Sequence, residues 1–533
     1  MCTFCTRVGT MSERKSRRRR QRAKRAATVA SVVFAVACSP DSSEEAGGAP
    51  GMEAPPLAER SESEIARSQD PRPSVVLVVF DTLRADAVSA YGQVAGTTPN
   101  LDRLAREGLR YENAFAPAPW TVSSHATLFS GLRVDEHGVG LDGRAVVPDA
   151  LPMLAEDFQT AGYATASFSE NGLVGREFGF DQGFDRFETP DIAGNLEKII
   201  RGEAVTEFPL LAGVRDWNRT RDPSQPYFLF VNLFDAHDPY EVRESNPWVP
   251  DGVPREELDY IASTYVVPQS LCDALPTRTH LDALRGLYLG DVARADAKFG
   301  ELLEILEERD PETPRIILAT SDHGEHLGEN RLMGHQFSVR MAALHIPMVV
   351  SGIPESEPAV IEEAVELRSV SGSLRCWALG EGCQATLPID ALAEPRSIAE
   401  SEPIIGVYSD SVARMPKWML ERFELTREQE RAAPSVARAR CGPDDRVFGE
   451  MVSMIRYPMK LTWFSRNEMV LHDLSWDPGE RSDQIGRDSE ETRAFRRELE
   501  AFVRRRVTER DEPEVPELSQ EAARALESLG YIR

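Results

Sequence analysis

SVVLVVF, residues Ser74 to Phe80, runs six apolar residues in succession after its serine. A strand with one wet face alternates apolar and polar residues; one that does not alternate reads as a parallel strand covered on both faces. Two further stretches have the same character, PYFLFVNLF from Pro226 to Phe234 and RIILATS from Arg315 to Ser321. Helical patterns lie between them. PNLDRLAREG, Pro99 to Gly108, carries proline near its start and glycine at its end, and a long amphipathic stretch runs from about Leu281 to Glu308. Strands alternating with helices predict an α/β fold, a large mostly parallel (mixed) sheet sandwiched by helices.

Outward from this core the pattern weakens after about residue 355, then recovers in strand-like segments at Tyr457 to Phe464 and Glu468 to Asp473 and a helix near Ser519 to Leu529. A smaller C-terminal α+β subdomain is expected there. The division read from the sequence is 1–38 leader, 39–73 tether, 74–355 catalytic domain, and 356–533 the remainder of that core with the subdomain. At 533 residues the chain exceeds the size at which one core stops growing, which is consistent with two lobes.

The leader is basic, then apolar from Ala26 to Ala37, then Cys38. The apolar run is shorter than the roughly 20 residues needed to span a bilayer and has the form of a signal-peptide core. Small residues at Ala35 and Ala37 before Cys38 resemble a bacterial lipoprotein cleavage site. The expectation is an extracytoplasmic protein, periplasmic or outer-membrane, lipid-anchored through Cys38; an ordinary cleaved signal or an uncleaved anchor gives the same side of the membrane. Residues 39–73, rich in Ser, Glu, Gly and Pro, predict an unstructured tether.

The net charge is −26, and setting aside residues 7–25 leaves 51 basic against 86 acidic residues, a net of −35. Such a body repels nucleic acid, which excludes that partner class, and an anionic substrate needs a local positive site that a metal ion supplies. Of seven cysteines, Cys272, Cys376, Cys383 and Cys441 lie in the body. In an oxidising compartment Cys376 and Cys383 are near enough to close a short loop, while the other two pair or stay buried.

Each buried strand ends in acids and histidines: Asp81 after the first, Asp235 and His237 after the second, Asp322 and His323 after the third. Ligands of open α/β sheets bind outside the carboxyl ends of the strands. A single aspartate at a strand end is commonly a cap or turn former; three such endings together point to a site.

The segments DTLRADAVSAYG (Asp81 to Gly92), TPNLDRLAREGLRYENAF (Thr98 to Phe115), APWTVSSHATLFSG (Ala118 to Gly131), FDAHDPY (Phe234 to Tyr240), SDHGEHLGENRLMGH (Ser321 to His335) and LHDLSWDPGERSD (Leu471 to Asp483) follow one another in this order. Together they resemble the sulfatase family of the alkaline-phosphatase superfamily. The resemblance implies an alkaline-phosphatase/sulfatase-like fold and a hydrolase of sulfuric or phosphoric esters. By position it makes Asp81, Asp322 and His323, completed by Thr121, the ligands of one divalent metal ion. Oxygen ligands with one imidazole suit Ca²⁺, Mg²⁺ or Mn²⁺, with Zn²⁺ a further candidate.

This chain departs from the family at instructive places. Thr121 stands where a sulfatase has the cysteine that becomes formylglycine; a threonine would oxidise to a ketone, which excludes that cofactor. Ser123 and Ser124 are out of register. The resemblance then implies an unmodified Thr121 nucleophile, activated by the metal as in superfamily members that use threonine. A formylglycine hemiacetal expels sulfate from carbon, a route closed to a threonine sulfate ester, whereas a phosphothreonine is opened by attack on phosphorus. The expected substrate is therefore an anionic ester, leaning to a phosphate mono- or diester.

His125 replaces the motif arginine and is expected to position Thr121 or act as an acid or base. His237 and His335 match family positions that hold the ester oxygens or protonate the leaving group. Thr82 replaces a second acid, Asn171 stands in the place of a sulfate-binding lysine motif, and Arg84 is the nearest basic residue to the first ligand. His137, His326 and His345 receive no chemistry. The competing readings are a transferase of a phospho-linked group to a lipid or glycan alcohol, and a catalytically inactive metal- or ligand-binding lipoprotein.

Overall fold

The computed structural model describes residues 72–508 apart from 93, 95, 142–145, 192–207, 265–275, 336–337, 381–385, 391–401, 410–449, 466–467 and 488. The leader, the tether, Cys38 and the expected terminal helix lie outside the described residues.

The apolar run opens the sheet as β1 (Ser74–Phe80), followed by β2 (Leu109–Phe115), β3 (Ala164–Ser169), β4 (Arg186–Glu188), β5 (Tyr227–Leu233) and β6 (Arg315–Ser321). A two-residue ladder, β7 (His326–Leu327) with β8 (Met333–Gly334), precedes β9 (His345–Ser351), β10 (Ala359–Ile361) and β11 (Val365–Glu366). Among the described residues the main sheet has nine strands in the order β10-β2-β9-β6-β1-β5-β3-β4, with β11 also on β2. Its pairings are parallel except those of β9 with β2 and β6.

Strand β1 lies at the centre and both of its faces are covered. Val75, Leu77 and Val79 enter one hydrophobic core and Val76, Val78 and Phe80 the other. Helices α1 (Pro99–Glu107), α4 (Leu210–Thr220) and α5 (Arg278–Arg309) pack on the second of these faces. Helices α2 (Thr121–Ser130), α3 (Leu154–Thr160) and α6 (Ser369–Leu379) cover the first. Each fully buried Val, Leu or Phe contributes about 1.5–3 kcal/mol relative to exposure, so a continuous apolar run defines the middle of the molecule.

Register then fixes where chemistry can occur. Phe80 pairs with Leu233 on one side and Ser321 on the other, so β1, β5 and β6 end level with one another. Residues just past those ends, Asp81 and Asp322 among them, emerge side by side.

A second sheet, β12 (Ile404–Tyr408), β13 (Met451–Arg456), β14 (Met459–Phe464) and β15 (Glu468–Asp473), is antiparallel throughout. Helix α7 (Glu490–Thr508) covers it through Phe495, Leu499, Phe502 and Val503, and the same core takes in Ala118 and Val134 from the segments flanking α2. Val407 donates its amide to Pro117 at 2.8 Å, tying the small sheet to the approach to Thr121. Cys376, in α6, is disulfide-bonded, and the remaining cysteines lie outside the described residues. Among the described residues no helix is long and apolar enough to cross a membrane.

Candidate metal centre and active site

Asp81, Asp322 and His323 are fully buried and Thr121 is 1% exposed. One ligand atom from each of Asp81, Asp322 and His323 lies within 4.8 Å of the others. Thr121 Oγ1 stands 3.5 Å from His323 Nε2. Three separated segments thus bring together the four side chains that the sequence pairs with a cation.

Hydrogen bonds aim each candidate ligand. Asp322 Oδ1 accepts the amides of Thr82 (3.1 Å) and His323 (2.8 Å), while its Oδ2 is buried without a hydrogen-bond partner. Asp81 Oδ2 accepts Asn171 Nδ2 at 2.8 Å and Asn232 Nδ2 at 3.4 Å, leaving Oδ1 likewise unpartnered. His323 Nδ1 donates to the Gly324 carbonyl at 3.1 Å, so the lone pair is on Nε2. That nitrogen lies 3.3 Å from Asp322 Oδ2. A lone pair facing a carboxylate oxygen repels it unless positive charge lies between.

The electrostatics agree. Burial and then the Asp81 charge push the Asp322 carboxyl well above the usual range, and burial drives the His323 imidazole well below its own. A neutral imidazole is the ligand form. Two dehydrated carboxylates, one imidazole lone pair and a hydroxyl therefore fit a divalent cation, and the two unpartnered oxygens are where it would be held.

Thr82 has a left-handed backbone, φ 57°, an uncommon state for a β-branched residue and a frequent mark of functional sites. This turn directs its amide to Asp322 and its hydroxyl to the Ala236 carbonyl at 2.9 Å. The residue that replaces a second acid is thus a clamp between strand ends.

Helix α2 begins at Thr121, with extended Trp120 as its cap. Thr121 therefore occupies the first helical position, where the helix dipole favours negative charge. Ser124 donates to the Asp322 carbonyl at 2.6 Å, and Ser123 packs under Gly140 (φ 88°), where an added Cβ would come within 1.7 Å of its hydroxyl. Neither serine competes with Thr121.

Both ring nitrogens of fully buried His125 are engaged. Nδ1 donates to the Thr121 carbonyl at 2.9 Å and Nε2 accepts from Asn232 Nδ2 at 3.3 Å, while Phe180 and Phe230 meet the ring edge-on. Burial lowers its pKa. Of its two expected roles, this geometry serves positioning.

His237 stacks on Phe234 at 4.3 Å, and its Nδ1 meets the Asp238 carbonyl at 2.7 Å and Asp238 Oδ1 at 2.9 Å. Burial opposes its protonation most strongly of any single effect, but the Asp238 charge and hydrogen bond together with the charges of Asp81 and Glu325 outweigh it and raise the pKa to about 10. His335 stacks on His323 with centroids 4.5 Å apart and meets His237 edge-on at 5.0 Å. These two histidines form the wall beside the ligand group.

Other expectations resolve differently. Asp235 contacts Arg294 Nε at 2.9 Å and Lys298 Nζ at 3.0 Å, and Lys298 also holds Glu170, so this strand-end acid ties β5 to α5. Asn171 supplies no substrate-binding charge: its Nδ2 steadies Asp81 and its Oδ1 accepts the Leu173 amide at 2.9 Å. Arg84 is engaged by Asp86, Glu329 and the Glu325 carbonyl. His137 bridges Thr127 and the Val139 amide, and His345 bonds the Glu112 carbonyl, as structural histidines do. Asn232 was missed; a lone amide inside a strand buried on both faces was the available signal.

The sulfatase family profile matches residues 73–371. The chain belongs to the sulfatase family. It is 22% identical to a choline-sulfatase of Rhizobium meliloti over 67% of this chain and 80% of that protein. It is 24% identical to the multifunctional alkaline phosphatase superfamily protein PehA of Trinickia caryophylli over 61% and 77%. A crystal structure of the phosphonate monoester hydrolase of Agrobacterium radiobacter shares the fold, with a TM-score of 0.59 at 19% identity, covering 84% of this chain and 99% of that one. As a sulfatase-family hydrolase the chain acts on ester bonds. Enzymes of the family use a metal ion, for which Asp81, Asp322 and His323 are candidate ligands.

Proposed function

We propose that this sulfatase-family chain is a divalent-metal-dependent hydrolase of phosphate mono- or diesters, with Thr121 as an unmodified nucleophile. One observation carries the reading: the His323 Nε2 lone pair, the Thr121 hydroxyl and the unpartnered oxygens of Asp81 and Asp322 converge in a dehydrated site.

A cation held by Asp81, Asp322, His323 and the Thr121 hydroxyl supplies the positive charge that lowers the hydroxyl pKa and offsets the charge of the ester. Thr121 Oγ1 attacks phosphorus, its proton passes to solvent, and the bond to the leaving alcohol breaks as His237 or His335 protonates that oxygen. Water then attacks phosphorus, the Thr121 Oγ–P bond breaks, and the free hydroxyl returns. The α2 N-terminus faces charge that grows in the transition state. His125 and Asn232 keep the first turn of α2 and Asp81 in register. No equivalent exit exists for a sulfate ester of Thr121 at carbon, which favours phosphorus over sulfur. The leader sequence supports an extracytoplasmic location with a lipid anchor at Cys38, the anchor being the sole membrane contact.

The test compares turnover of aryl phosphate, bis-aryl phosphate and aryl sulfate by wild type and Thr121→Ala, with mass spectrometry of quenched enzyme. Faster phosphate turnover, a phosphorylated peptide containing Thr121 and an inactive variant are expected. Faster sulfate turnover or an active Thr121→Ala protein would contradict the reading.

A further inference from the structure

Helix α5 turns one face toward the loop that carries His237. Tyr288, Asp291, Arg294 and Lys298 recur at three- and four-residue spacing, which sets them along a single stripe of the helix. Arg294 spans the loop: its Nε stands 2.9 Å from Asp235 Oδ1 at the strand end, and its Nη1 donates to Glu241 Oε2 at 2.8 Å on the far side. Between those two anchors lie Ala236 to Tyr240, with His237 among them. Asp291 Oδ2 accepts the Glu241 amide at 2.8 Å, and Tyr288 meets the Tyr240 ring edge-on at 5.6 Å. Phe234 and Asp238, which pack on and bond the His237 ring, belong to the loop itself. They set the rotation of the imidazole, whereas the place of the loop over the strand ends is set from α5.

We infer that Arg294 is a positioning residue for His237: by clasping Asp235 and Glu241 it closes the loop onto α5 and fixes the imidazole relative to the ester. The inference rests on the reading that His237 meets an ester attacked by Thr121. Removing the guanidinium breaks the clasp without stranding either acid, because Asp235 keeps Lys298 Nζ at 3.0 Å and Glu241 keeps Arg243 Nη2 at 2.7 Å. The Arg294 side chain is 28% exposed, where an ion pair contributes little to stability. Its loss is therefore felt in geometry rather than in folding, and a catalytic group misplaced by about 1 Å costs on the order of 10²-fold in rate.

The test is a double-mutant cycle on aryl phosphate turnover, with Arg294→Met made in the wild type and in His237→Ala, and with bound Mn²⁺ and thermal melting measured alongside. The expected result is a loss of kcat of about 10- to 100-fold in the wild-type background and less than about twofold in His237→Ala, with metal content and melting unchanged. Equal losses in the two backgrounds, or no loss in the wild type, would overturn the inference. Glu241→Ala opens the clasp from its other end and is expected to repeat the loss; a wild-type rate in that variant counts equally against the inference. A second readout stands apart from the reaction. In protein labelled with ¹⁵N-histidine, Arg294→Met is expected to shift the His237 ring resonances, and an unchanged His237 signal overturns the clasp. A wild type that turns over no phosphate removes the proposed function, and the His237 signal then decides the clasp by itself.

Discussion

Two buried charge groups in this molecule are built on opposite rules. At the small sheet, Lys460 of β14 and Glu480, in the loop after β15, pair at 2.8 Å with side chains 0% and 3% exposed, and both reach the main domain: Lys460 donates to the Val339 carbonyl and Glu480 Oε2 accepts the Met341 amide at 2.7 Å. At the strand ends, Asp81 and Asp322 are as deeply buried but share the site with a like charge, and each keeps an oxygen without a partner. The first arrangement is complete within the protein and pins two lobes together. The second is complete only with something brought from outside. Burial alone therefore does not mark a functional charge; burial with unmet valence does.

The contrast yields predictions of decreasing size. Thr121→Ala or Asp81→Ala should lower turnover of an aryl phosphate by about 10³-fold or more without loss of folding, since nucleophile and ligand act as a unit. A rate within a few-fold of wild type in steady-state kinetics would show that the strand-end group is merely structural. Next, Lys460→Met should cost about 3–5 kcal/mol in denaturant unfolding, because it leaves Glu480 buried and uncompensated. In metal-free protein the strand-end group should respond with the opposite sign. Asp322→Asn removes repulsion with Asp81 and points an amide at the His323 lone pair, so thermal unfolding in a chelator should shift upward, by about 1–3 kcal/mol. A downward shift would erase the distinction between the two groups. Smallest in effect, His125→Gln or Asn232→Leu should reduce turnover by about 10- to 100-fold while metal is retained, as expected for groups that orient others.

Much of this was legible in the sequence, for definable reasons. Strands β1, β6 and β15 occupy the residues their patterns mark; β1 is the clearest because all seven of its residues are buried, and a dehydrated strand leaves little choice of composition. The candidate ligands stood out because such strands end in few polar residues. Legibility failed where the third dimension decides: Asp235 has the same strand-end signature as Asp81, yet helix α5 presents Arg294 and Lys298 to it. The left-handed turn at Thr82 and the engagement of His125 Nε2 by Asn232 depend on backbone shape or on a neighbour over 100 residues away. The start of α2 gives no signal in the sequence, because Trp120, an extended residue without a side-chain cap, is not a capping residue type.

The most direct test of the central claim is anomalous diffraction from crystals of the protein grown with Mn²⁺. The account predicts a strong anomalous peak within bonding distance of Asp81, Asp322, His323 and the Thr121 hydroxyl. Well-ordered density for all four side chains with no such peak between them would contradict it.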